Sequence, residues 1–128
     1  MMEETGSSTS FDDLHRMAAM DAKTLQDRIL TAARPAIDVS DSQAVALMLA
    51  HVLLGVVQEY LERTSGEHDV ELFLEVNGRP PADVASWPVN ILTGLRLRQI
   101  PADDWHRICE QSVRTAVRRL RSASETTA

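Results

Sequence analysis

Arginine carries most of this chain's capacity for specific chemistry. Twelve of its thirteen basic residues are arginine, Lys23 being the exception. Five of them crowd one C-terminal segment: Arg107, Arg114, Arg118, Arg119 and Arg121. A guanidinium stays charged and presents a rigid fork of donors that matches carboxylate or phosphate. On a helix turning about 100° per residue, Arg107, Arg114, Arg118 and Arg121 fall within a wedge of about 60°, and Arg119 adds charge at one flank. These five are the candidate partner-binding residues. The same stripe also suits a solvated helix face. Asp103 precedes Arg107, and Glu110 precedes Arg114, at the i,i+4 spacing and in the orientation that favours ion pairs.

Other reactive groups offer less. His106 and Glu110 stand four apart and can share a metal, and Cys109 beside His106 suggests a thiol. Two or three ligands on one helix do not close a site, and His15, His51 and His68 are scattered. Cys109 lies on an apolar stripe, where a buried inert thiol is the ordinary outcome. His51 interrupts an apolar run and reads as a structural histidine bonded to a carbonyl or a buried acid. Glu67, His68 and Asp69 read as a charged loop. The glycines at 6, 55, 66, 78 and 94 are isolated, so none builds a phosphate cradle. There is no nucleophile elbow, Walker-type loop or zinc-protease pair. The reading is therefore of a protein that is not an enzyme, with no metal and no cofactor.

Two alternatives stay open. One is a nucleic-acid-associated regulator using the C-terminal arginines. The overall acidity and the lack of interleaved aromatics argue against nucleic acid. A helix-turn-helix across 88–114 would open its second helix with Asp103 and Asp104, which repel phosphate. The other alternative is a small enzyme or ligand-binding domain around His51, His106 or Trp87.

The elements that must position these groups follow from composition and pattern. The chain has 128 residues, 19 acids, 13 bases and a net charge of -6. That length suits one domain with an aliphatic core, since aromatics are only 4%. Residues 1–75 hold 14 acids against 5 bases, and residues 76–128 hold 5 acids against 8 bases. Such asymmetry steers charged partners. One cysteine allows no internal disulfide, and the acidic start has the wrong sign for a signal peptide. The longest apolar stretch, 44–57, is shorter than the roughly 20 residues of a membrane span. The expectation is a cytoplasmic protein with no membrane contact. The arginine bias suggests a GC-rich genome, of bacterial or phage type.

Residues 1–9 read as a disordered lead, 10–121 as a single helical domain and 122–128 as a disordered tail. A first helix runs over 11–34, capped by Ser10 and ended by Pro35, with Asp21 as a flaw that bends or divides it. A second begins with the capping-box pair Ser40 and Gln43, led in by Ile37 or Val39, and runs from 41 to about 64, with Gly66 as its stop. It is apolar all round over 44–57, so it must be sheltered on every side, by the chain's own helices, or on one side by a second copy in a homodimer or by another protein. Val70, Leu72, Leu74 and Val76 alternate with polar residues and predict a strand. Leu95 to Ile100 alternates too, and pairing the two segments would set arginines against glutamates. A short helical turn falls between them over 88–92. The last helix runs from Pro101 or Ala102 to about Arg121.

The predicted fold is thus mainly α, a three-helix core with a small two-stranded β-ribbon. The function expected is non-catalytic protein binding, by a regulator or adaptor of the inhibitor, immunity, antitoxin or assembly class. This rests on class-level analogy. The partner is another protein, met through charged and apolar helix surfaces.

Overall fold

Ser10 opens the first element: its Oγ accepts the Asp13 amide, and Asp12 and Asp13 fill the first turn where the helix dipole favours negative charge. This helix, α1, spans Phe11–Ala33. Among the described residues four more follow: α2 over Ser42–Thr64, α3 over Glu67–Asn77, α4 over Trp87–Leu97 and α5 over Ala102–Thr127, with a 3₁₀ turn at Val84–Ser86. The computed structural model describes residues 10–34 and 42–127, with side chains over 10–34 and 43–123. The predicted lead over 1–9, the stop at Pro35, the lead-in at Ile37 or Val39 and the cap at Ser40 lie outside the described residues.

Every element of the described residues is helical, and the predicted β-ribbon is absent among them. Segment 70–76 belongs to α3, and 95–97 closes α4. The alternation was real, but a helical period fits the same letters. Val70, Phe73 and Asn77 share one buried face of α3, and Leu74 packs beside them. Leu72 and Val76, which a strand would have buried, are 46% and 78% exposed. The arginines meet other acids than those expected. Arg98 donates from Nε and Nη2 to the two oxygens of Asp69, at 3.1 and 2.8 Å, and from Nη1 to the Gly94 carbonyl. Arg96 donates to Asp21 at 2.7 Å and lies over the Trp105 ring.

That second pair explains the flaw in α1. Asp21 does not divide the helix, which is continuous over 23 residues. Its carboxylate is held against α4 by Arg96, beside the buried stripe Ala18, Ala22, Leu25, Ile29 and Ala33.

α2 is the central rod. Val45, Leu49, Val52, Leu53, Val57 and Leu61 are fully or almost fully buried. Each such side chain contributes roughly 1.5–3 kcal/mol of transfer free energy. By length and composition Gln43–Thr64 would also span a bilayer, once the whole helix and not only its unbroken apolar run is counted; core helices share that property. The chain's own helices shelter it only in part: Leu47 is 39% exposed, and His51 and Gly55 reach the surface. α2 ends where its own Gly66 takes φ +86°, and the amides of Ser65 and Gly66 both return to the Leu61 carbonyl. Glu67, His68 and Asp69 form the first turn of α3, not a loop.

α4 is longer than the short turn foreseen. Trp87 and Pro88 begin it, and Ile91, Leu92 and Leu95 are buried. The indole Nε1 of Trp87 donates to the Asn77 carbonyl at 2.8 Å, fastening α4 to the end of α3. A tight joint at Gln99, with φ +53°, turns the chain into α5. α5 buries Ile108, Ser112, Val113, Ala116 and Leu120 against α1 and α2, and continues to Thr127, past the end expected at Arg121.

Candidate functional site

α1 and α5 pack along each other, and between them runs an arginine-lined groove. It consists of two recesses of about 620 and 490 Å³ that share Ala32 and Val113. α5 supplies Val113, Arg114, Val117, Arg118 and Arg121; α1 supplies Thr24, Asp27, Arg28, Thr31 and Ala32. The groove exists because small residues of α1 face the valines. Val113 is nine-tenths buried and Val117 half-buried, so the floor is apolar and firm.

The rim is cationic. Arg114 pairs with Glu110, as the i,i+4 spacing foretold. Arg121 donates to the Ala32 carbonyl at 3.2 Å, satisfying one of the orphan acceptors at the end of α1. Arg28 and Arg118 have no ion pair among the described residues. Asp27, the acid on this rim, is engaged by Lys23 at 3.3 Å. The groove therefore joins an apolar floor to four guanidiniums, three of which, Arg28, Arg118 and Arg121, have no carboxylate partner among the described residues.

The structure divides the five sequence-nominated arginines. Arg114, Arg118 and Arg121 line the groove. Arg107 sits two turns earlier, at a small recess with Tyr60, and pairs with Asp104 at 3.5 Å in place of the expected Asp103. Tyr60 Oη donates to the same carboxylate at 3.2 Å; burial, then Asp104, raises its pKa. Arg119 turns to the α2 side, into a shallow cleft with His51, Gly55 and Thr115. The contribution of α1 was missed. Thr24, Arg28, Thr31 and Ala32 recur at helical spacing beside its apolar stripe, a signal visible in the letters but without meaning until α5 is laid against it.

The other chemistry-bearing groups do not converge. His51 is exposed, makes no hydrogen bond among the described residues and meets the Trp87 ring edge-on at 5.0 Å, so it is not the carbonyl-bonded buried histidine anticipated. Trp87 is buried and committed to Asn77. His106 is exposed. Among the described residues no three His, Cys, Asp or Glu side chains are placed to hold one metal ion. Cys109 is half-buried near Asp21 and Arg96; burial first, then Asp21, pushes its thiol up to about 11. Comparison with protein-family models, with curated proteins and with solved structures found no match.

Proposed function

We propose that the protein is a non-catalytic regulator or adaptor of bacterial or phage type, and that its α1–α5 groove receives an acidic amphipathic helix of a partner protein. The observation that carries this reading is the pairing of an apolar floor, Ala32, Val113 and Val117, with a rim of Arg28, Arg114, Arg118 and Arg121. Apolar anchors desolvated at the centre and charges at the edge are the usual anatomy of helix-in-groove recognition. Nucleic acid is served less well. No aromatic side chain lines the groove for base stacking, and the molecule as a whole is acidic. Inhibitor, immunity, antitoxin and assembly roles all fit such a surface by class-level analogy.

The test is fluorescence anisotropy with a labelled, helix-stabilised peptide of about 16 residues carrying a leucine pair at i,i+4 flanked by glutamates. Duplex DNA and single-stranded RNA serve as parallel probes. The expected result is salt-sensitive binding of the acidic peptide, weakened at least about tenfold in the triple variant Arg114→Ala, Arg118→Ala, Arg121→Ala. Binding that the triple variant leaves unaltered, or nucleic acid bound in preference to the peptide, overturns the reading.

A further inference from the structure

We infer that the groove's occupant is a second copy of this chain, whose α3 docks its exposed face between α1 and α5. The inference rests on the reading of the groove as a receiver of acidic apolar helices. Two independent features of α3 support it.

The first is an exposed pair of apolar side chains. Leu72 and Val76 are 46% and 78% exposed and lie four residues apart, one above the other on the outer side of the helix. Val70 and Phe73 hold the opposite side in the core, so this face is presented by a fixed helix.

The second is charge of the complementary sign at matching spacing. Glu71 and Glu75 flank Leu72 and Val76, and neither glutamate has an ion pair among the described residues. On α5, Arg114 and Arg118 flank Val113 and Val117. Each helix thus carries two apolar residues at i,i+4 with two like charges at i,i+4 beside them, acidic on α3 and basic on α5. Laid together, Leu72 and Val76 meet the floor while Glu71 and Glu75 reach the guanidiniums. The chain's charge asymmetry, acidic over 1–75 and basic over 76–128, favours the same head-to-tail approach.

Each copy uses two different surfaces, so the contact is heterologous and either closes a ring or extends a chain. The helix has 11 residues, a contact about 16 Å long. A strip of that length and one helix wide, about 10 Å, covers about 160 Å², well below the roughly 800 Å² per partner of stable complexes, so the association is weak and concentration-dependent.

Sedimentation velocity and light scattering on the full chain, from about 5 to about 500 μM and at about 50 and 300 mM salt, provide the test. The expected average mass rises above the 14.2 kDa of one chain with concentration and falls back with salt. Glu71→Arg with Glu75→Arg, and separately Arg114→Glu with Arg118→Glu, each leave the chain a monomer. Mixing the two variants restores association, because each then offers the other an oppositely charged partner surface. Glu71→Gln with Glu75→Gln, which keeps the helix propensity of α3, lowers association at least about fivefold and stands in should a reversal disturb the fold. Association that survives either reversal, or a mixture that stays monomeric, overturns the inference. A wild-type chain that remains monomeric yet captures the acidic peptide overturns self-docking alone; one that does neither overturns the groove reading as well.

Discussion

Truncating Arg98 measures how firmly a polar clamp holds α3 to α4. In Arg98→Met the aliphatic stem survives, while two bonds to Asp69 and one to the Gly94 carbonyl disappear. Hydrogen bonds to charged groups contribute about 1.5–3 kcal/mol each when shielded. The two side chains here are 25% and 29% exposed, so water replaces part of what is lost. The net cost is about 2 kcal/mol, equivalent to a melting temperature lower by about 6–10 °C in a domain of this size. Urea unfolding of wild type, Arg98→Met, Asp69→Asn and the double variant gives the coupling. The double variant should cost little more than either single one, because the second substitution removes a group already without its partner. The pH dependence supplies an independent check. Hydrogen bonding from Arg98 outweighs burial and holds the Asp69 carboxyl below its ordinary range. A group depressed in the folded state stabilises above its unfolded pKa, near 4, and loses that contribution as pH falls through the folded value. The gap between wild type and Asp69→Asn should hold steady from pH 7 to about 5 and then close toward pH 2. A coupling below about 0.5 kcal/mol, or a gap indifferent to acid, refutes the reasoning.

Gly55→Ala should raise stability by about 0.5–1 kcal/mol, since the added methyl meets nothing within 4 Å and alanine suits a helix interior better. The urea midpoint reads this, and a loss would mean that the position is not open. Cys109, with its thiol near 11, should react with an aromatic disulfide at pH 8 about a hundredfold more slowly in the native chain than in denaturant. Equal rates would show that burial does not protect it.

Much of the helical scaffold was legible in the sequence, and the reasons are local. Ser10 with Asp12 and Asp13 marks the start of α1 as it stands. Gly66 marks the end of α2, and the stripe from Ile108 to Leu120 marks the inner face of α5. What failed was the segment where two periods fit one set of letters. Val70 to Val76 alternates as a strand does, and only tertiary partners settle it: Phe73 buried, Asp69 clamped by Arg98, Asn77 receiving the Trp87 indole. Asp21 misled for the same reason, because its partner lies 75 residues away. The groove was half legible. The α5 arginines stand out by number and spacing, whereas Arg28 and Ala32 become part of a surface only when two helices from opposite ends of the chain meet.

That meeting has a consequence for how the protein is made. α1 rests chiefly on α4 and α5 and touches α2 far less. A ribosome releases residues in order, at about 5–20 per second. The first helix therefore emerges with its lining of Ala22, Leu25 and Ile29 uncovered, and waits about 3–13 s for the segment ending at Leu97. Through that interval its small, alanine-rich stripe is a mild hazard where a leucine-rich one would invite aggregation.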